Sequence, residues 1–166
     1  MFTSIDGTIY WGEWVNDRIN GKGKLWQPNG DRYEGDFVNS KAQGYGKYSG
    51  LTNGNTYEGE WQRDKKHGKG KETMADGSVY DGNFREGKRE GKGTWTFADG
   101  SIYDGEWHNN KMHGKGIYTI MMKSENKNDT DHVESEKYEG EFKENMKHGF
   151  GTFTWRNGTI YKGEWK

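Results

Sequence analysis

Three histidines, His67, His113 and His148, occupy one place in the chain, immediately before a Gly-x-Gly. Imidazole suits metal ligation and general-base work near neutral pH, so this recurrence is the first place to look for chemistry. The same residue in unit after unit is, however, what packing in a repeated loop requires. His108 and His132 have no comparable neighbours. Carboxylates form the second candidate set: Glu13, Asp36, Glu60, Glu106, Glu141 and Glu164 each follow a recurring glycine, and Glu58, Asp81, Asp104 and Glu139 each precede one. Two carboxyl groups can flank a glycosidic bond, but acids repeated along the chain read as a solvated face. Gly68-Lys-Gly70 and Gly91-Lys-Gly93 lack the strand-loop-helix setting and the following Lys-Ser/Thr of a phosphate cradle. With no cysteine there is no thiol nucleophile, zinc-thiolate site or disulfide, as suits a reducing cytosol. The expectation is a protein that is not an enzyme and holds no cofactor or metal.

What positions these residues is an internal repeat. Seven Tyr-x-Gly-x-(Trp/Phe) motifs run from Tyr10 to Trp14, Tyr33 to Phe37, Tyr57 to Trp61, Tyr80 to Phe84, Tyr103 to Trp107, Tyr138 to Phe142 and Tyr161 to Trp165. Their tyrosines are 23, 24, 23, 23, 35 and 23 residues apart. A Gly-x-Gly follows nine residues after each of the first six motif glycines, and Asn-Gly or Asp-Gly precedes most of the tyrosines by three or four residues. Such periodicity marks a stacked array, here 1–166 as a single array of about seven units. The long step places an insertion at about 121–136, where the polar run 123–131 reads as flexible.

Alternate residues of a strand share a face. If residues 15–20 form a hairpin loop, Trp14 lies opposite Gly21, Gly12 opposite Gly23 and Tyr10 opposite Leu25; the next strand sets Phe37, Gly35 and Tyr33 against the same three. Each Trp or Phe then has glycine on both sides, leaving room for its ring to lie across the sheet and cover the glycines. The Asx-Gly pairs read as tight turns with positive φ. On the other face, acids beside the motif glycines oppose Lys22, Lys69, Lys92 and Lys115.

Composition supports a thin β array: 28% of residues are hydrophobic, yet 15% are aromatic and 27 are glycine, so apolar surface resides in rings. A formal net charge of -1, with basic residues interleaved among acids, argues against nucleic acid. Basic residues gather at Arg63, Lys65 and Lys66 and at Lys88 and Arg89, read here as hairpin tips that could make weak contact with anionic lipid. No apolar run, signal peptide or lipidation motif indicates a stronger membrane tie.

The three linked motifs, over residues 6–166, resemble the MORN (membrane occupation and recognition nexus) repeat family, most closely at Tyr103-Asp-Gly-Glu-Trp-His-Asn-Asn-Lys-Met-His-Gly-Lys-Gly116. Gly70 leads into Lys71-Glu72-Thr73-Met74, where the pattern has an aromatic strand. The resemblance implies an all-β, elongated single-layer antiparallel meander of hairpins with a right-handed twist. About 13 strands at about 4.8 Å would make a sheet roughly 60 Å long. It further implies a non-catalytic, cytoplasmic scaffold of cytoskeletal or ciliary assemblies, such as axonemal radial spokes, that holds helical or extended partner segments on its aromatic face. The alternative is a regulatory or peripheral membrane module partnering an enzyme of SET methyltransferase or phosphoinositide kinase type. The last motif ends at Trp165-Lys166 with an open strand edge, an expected route to self-association. Trp and Phe alternate strictly at the motif's last position, which suggests that the tryptophans anchor partners and the phenylalanines pack internally.

Overall fold

The computed structural model describes residues 1–122 and 134–166, and every regular element in them is a strand. The chain resolves into two compact units, Met1–Lys88 and Arg89–Lys166. In the first, β1 (Phe2–Thr3), β2 (Ile9–Val15), β3 (Arg18–Trp26), β4 (Arg32–Val38), β5 (Lys41–Ser49), β6 (Thr56–Gln62), β7 (Lys65–Thr73) and β8 (Val79–Arg85) pair antiparallel in chain order. In the second, β9 (Lys88–Thr96), β10 (Ile102–His108), β11 (Lys111–Met122), β12 (Glu134–Lys143), β13 (Met146–Thr154) and β14 (Ile160–Trp165) do the same. The chain is an all-β antiparallel meander. The strand β1, which pairs Phe2 with Tyr10, is additional to the expected count.

The insertion expected at 121–136 is narrower than the sequence suggested. Met121 pairs with Ser135 and Ile120 with Glu136, because the β-prone run from Ile117 to Met122 continues the ladder. Residues 123–133 lie outside the described residues.

Two turn chemistries close the hairpins. At one end, two residues with positive φ join the strands: Asn16 and Asp17 at 49° and 59°, Asn109 and Asn110 at 50° and 69°. These are two-residue primed turns, whose twist matches that of the strands, and they replace the six-residue loop expected at 15–20. At the other end lie the Asx-Gly pairs. There only the glycine has positive φ, as at Gly30 (89°), and the Asx side chain caps the turn: Asp99 Oδ1 accepts the N–H of Ser101 at 2.8 Å.

The core is a ladder of rings over a row of glycines. Gly12 pairs with Gly23, Gly23 with Gly35 and Gly35 with Gly46, as the sequence register required. The ring on this floor is tyrosine, not the Trp or Phe expected. A Cβ built on Gly23 would stand 2.5 Å from Tyr10 Cε2. Each phenol reaches forward to donate to the carbonyl three residues on, Tyr57 to Glu60 at 2.8 Å and Tyr103 to Glu106 at 2.8 Å. The physical reason is a bulge immediately after the motif glycine, which shifts the register between Gly12 and Trp14, Gly59 and Trp61, and Gly105 and Glu106. The shift sets Trp14 opposite Ile19 instead of Gly21 and Trp61 opposite Lys66, so the glycine expected on the following strand is lost, while the one on the preceding strand is kept, as Trp61 opposite Gly44 and Phe37 opposite Gly21 show.

Candidate partner-binding face

The motif tyrosines are clamped between a Trp and a Phe ring, as three of them show. Tyr33 meets Phe37 edge-on at 5.0 Å and Trp61 at 5.1 Å; Tyr57 meets Trp61 and Phe84, both at 5.1 Å; Tyr103 meets Trp107 at 5.3 Å and Phe142 at 4.9 Å. Near-perpendicular packing at these distances sets each ring's electropositive edge on its neighbour's face. Burial pushes the Tyr33, Tyr57 and Tyr103 phenols above their usual pKa, helped at Tyr33 by Asp36 and Asp64.

The candidate binding rings are therefore mostly interior. Tyr10, Tyr33, Phe37, Tyr57, Trp61, Tyr80, Phe84, Tyr103, Trp107, Tyr138 and Phe142 are buried, while Trp14 and Tyr161 are exposed and Trp165 is half-buried. At Trp61 and Trp107 the structure shows no division of labour between Trp and Phe. Phe84 is 4% exposed and Trp107 5%, and the indole N–H groups of Trp61 and Trp107 donate within the sheet to Gly46 O at 3.1 Å and Gly93 O at 2.9 Å. An indole already satisfied inside the fold has no N–H left to offer a partner.

Side chains from the strands after three of the primed turns cover the rings. The Lys66 ammonium stands 5.1 Å from the centre of the Tyr57 ring and 5.9 Å from that of Phe84; Arg89 lies 4.2 Å over Trp95 and 5.8 Å over Trp107; Lys147 lies 4.1 Å over Phe153, 4.8 Å over Trp165 and 5.2 Å over Tyr138. These are cation–π contacts. They correct the reading of Lys66 and Arg89 as lipid-contacting tips, because a long aliphatic stem folds back over apolar surface and keeps only its head near water. Lys66 also pairs with Glu72, which stands in the place of the missing aromatic and is 7% exposed. Lys65 pairs with Glu86 at 2.6 Å. Arg63 belongs to an exposed turn, and Lys88 is exposed.

One stretch of the face is open. Between β3 and β6 a pocket of about 260 Å³ is lined by Leu25, Tyr33, Tyr48 and Trp61, with Ala42 on its wall and Asp64 at its side. Tyr48 donates to Asp31 Oδ2 at 2.6 Å, which holds that ring upright and keeps the Asp31 carboxyl below its ordinary pKa. Sequence reasoning missed this pocket; its signal is Ala42 in a column otherwise filled by long side chains.

Neighbouring hairpins are latched by turn residues that sequence reading did not single out. Asp64 Oδ1 accepts the Ala42 N–H at 2.7 Å while the Asp64 N–H donates to Ala42 O at 3.0 Å; Asn110 does the same with Arg89, and Asn145 with Met112. The acids after the motif glycines are also structural. Glu60 Oε1 accepts the Lys69 N–H at 2.9 Å and Asp36 Oδ2 the Tyr45 N–H at 3.1 Å, supplying acceptors where the bulge interrupts the ladder. Cross-strand ion pairs on the outer face include Lys22 with Asp36 at 2.6 Å and Lys24 with Glu34 at 2.9 Å. The three recurrent histidines lie within β7, β11 and β13, not in loops, and their carbonyls accept from tyrosines, as His113 O does from Tyr103 at 3.3 Å. Among the described residues no group of three or more His, Asp or Glu side chains is placed to hold a metal.

No curated protein matches the sequence. Among solved structures, the SAS-4 (dCPAP) TCP domain of Drosophila melanogaster, in complex with a proline-rich motif of Ana2 (dSTIL), is similar at 12% identity and a TM-score of 0.43. The match covers 88% of this chain and 85% of that one, a likeness too distant to bear on function. The family model of the MORN repeat matches residues 10–32, 33–51, 57–79, 80–102, 103–120 and 138–160. With motif, register and ring ladder all repeating over those residues, the chain belongs to the MORN repeat family.

Proposed function

We propose that this chain is a non-catalytic protein-binding scaffold that holds an extended or helical segment of a partner protein against its ring face. The observation that carries the reading is the pocket over Tyr33, Tyr48 and Trp61. It is concave and mainly apolar, with a few fixed polar groups at its edge, which is the character of a recognition site. At about 260 Å³ it is smaller than the roughly 300 to 1,000 Å³ of a drug-sized ligand site, and suits the side chains of a polypeptide. We further propose, as an expectation to be tested, a cytoplasmic place in a cytoskeletal or ciliary assembly, including radial-spoke-like ones. The alternative is a regulatory or peripheral membrane module partnering an enzyme; its lipid-contacting part has fewer free cations than the sequence offered, since Lys66 and Arg89 are engaged on rings and Lys65 in an ion pair.

The test is affinity purification from native cells with the parent chain and with Leu25→Glu, which places a charge at the half-exposed pocket wall. A stoichiometric partner that copurifies with the parent and is lost from the folded variant is the expected result. Retention of every copurifying protein by Leu25→Glu would contradict the proposal.

A further inference from the structure

One structural column, the second residue after each primed turn, runs Ile19, Ala42, Lys66, Arg89, Met112 and Lys147. In three of these places a cation lies over two or three rings drawn from equivalent positions: the motif tyrosine, the Trp or Phe of the next motif, and the residue two beyond the Gly-x-Gly. Lys147 covers Tyr138, Trp165 and Phe153, which are that set in full. Arg89 covers Trp107 and Trp95. Lys66 covers Tyr57 and Phe84 and reaches Glu72, the acid in the third place.

At Ala42 the equivalent set is Tyr33, Trp61 and Tyr48, and these three line the open pocket. Alanine ends at Cβ, so the rings that would receive a cation from the chain itself have none. The surroundings favour positive charge. Ring faces are electronegative, and the Asp64 carboxylate lies alongside, with one oxygen accepting the Ala42 N–H. Desolvating a lone cation is costly, and a neighbouring carboxylate with three rings offsets that cost.

We propose that the Ala42 pocket receives a lysine or arginine side chain from the partner protein, which supplies across the interface the cation that the sister repeats supply themselves. This rests on the scaffold reading and adds the chemistry of its anchor. The occupant is a basic side chain because three of the five sister repeats place Lys or Arg there, each over at least two of the equivalent rings, and because Asp64 lies beside the pocket. A purely apolar anchor would make no use of the Asp64 carboxylate at the side of the pocket.

The probes are n-butylammonium and n-butylguanidinium, with n-butylurea as the uncharged shape control, added to the full-length chain labelled with nitrogen-15. The readout is the Trp61 indole N–H resonance. The cations should shift it saturably and at least about fivefold more tightly than butylurea, the fold-change expected of about one cation–π contact. Ala42→Lys, which fills the pocket from within, should abolish the shift and raise the melting temperature. Asp64→Asn, which keeps an amide oxygen for the Ala42 N–H, should weaken cation binding about threefold or more. Equal binding of butylurea and the cations, or an undiminished shift in folded Ala42→Lys, overturns the inference. With a purified partner, loss of binding from Ala42→Lys supports it. Loss from Leu25→Glu but not from Ala42→Lys overturns this inference and leaves the scaffold reading standing, while retention by both variants overturns both.

Discussion

Gly105→Ala tests whether tyrosine over glycine holds the repeat together. A Cβ at Gly105 would lie 2.5 Å from Tyr103 Oη, 2.6 Å from Tyr103 Cζ and 2.7 Å from the Cα of Gly116. Carbon atoms pack at about 3.5 to 4.0 Å, so the ring must withdraw by about 1 Å, and the paired backbone of Gly116 has little room to follow. Withdrawal breaks the 2.8 Å hydrogen bond from Tyr103 to Glu106 O, worth about 1 kcal/mol. It also disturbs ring contacts to Trp107 and Phe142, worth about 0.5 to 1.5 kcal/mol each. Relief of glycine's entropic cost in a strand returns about 0.5 to 1 kcal/mol. The net expectation is a loss of about 1.5 to 3 kcal/mol, and a melting temperature lower by about 3 to 12 °C. The assay is thermal melting followed by near-ultraviolet circular dichroism, run in the parent and in a Tyr103→Leu background. The penalty should shrink by at least half when the phenol is absent. A melting temperature within a degree of the parent's, or an equal penalty in both backgrounds, would refute the glycine-floor reasoning.

Alkaline pH should destabilise the fold. The buried Tyr33, Tyr57 and Tyr103 have folded pKa values above the ordinary 10.0, so the unfolded chain loses protons first and stability falls as pH rises through 10; a melting temperature that stays flat from pH 9 to 11 would contradict this. Asn110→Ala should cost about 1 to 2 kcal/mol, through the lost acceptor for the Arg89 N–H and the strain of a Cβ at φ 69° without local hydrogen bonding. Asn110→Gly should recover only the strain part, and full recovery in a denaturant titration would deny the latch. Glu72→Phe should leave the melting temperature unchanged or higher, because it recreates the Lys147 and Phe153 arrangement at Lys66, whereas Lys66→Met alone should lower it by removing the ammonium that pairs with the buried Glu72 carboxylate. A drop for Glu72→Phe as large as that for Lys66→Met would argue that the ion pair, not the cation on a ring, matters there.

Much of the sheet was legible because two-residue alternation and a constant offset carry register. Tyr10 opposite Leu25, Gly12 opposite Gly23 and Phe37 opposite Gly21 all follow from them and hold. The bulge did not follow. It depends on first glycines of the Gly-x-Gly, such as Gly21 at φ 74°, adopting a backbone that period-two reading does not contain. Once the register slips, tyrosine instead of Trp or Phe lies on the glycines, and acids such as Glu60 become backbone acceptors. The ring-capping roles of Lys66, Arg89 and Lys147 were hidden for a related reason. Basic residues beside a turn suggest solvent, and only the three-dimensional neighbours on the same and adjacent strands show that the stem folds over a ring. The insertion was over-long on paper because its first and last residues pair as strand.

The most direct measurement places a benzophenone photocrosslinker in turn at Ser40, beside the ring-face pocket, and at Tyr45, exposed on the outer face beside Lys47. Each variant is illuminated with the copurified partner and the crosslinked peptides are read by mass spectrometry. The expected result is a crosslink from position 40 to a partner segment containing lysine or arginine, and none from position 45. A crosslink from position 45 with none from position 40 would place the partner on the charged face and contradict recognition through the ring face.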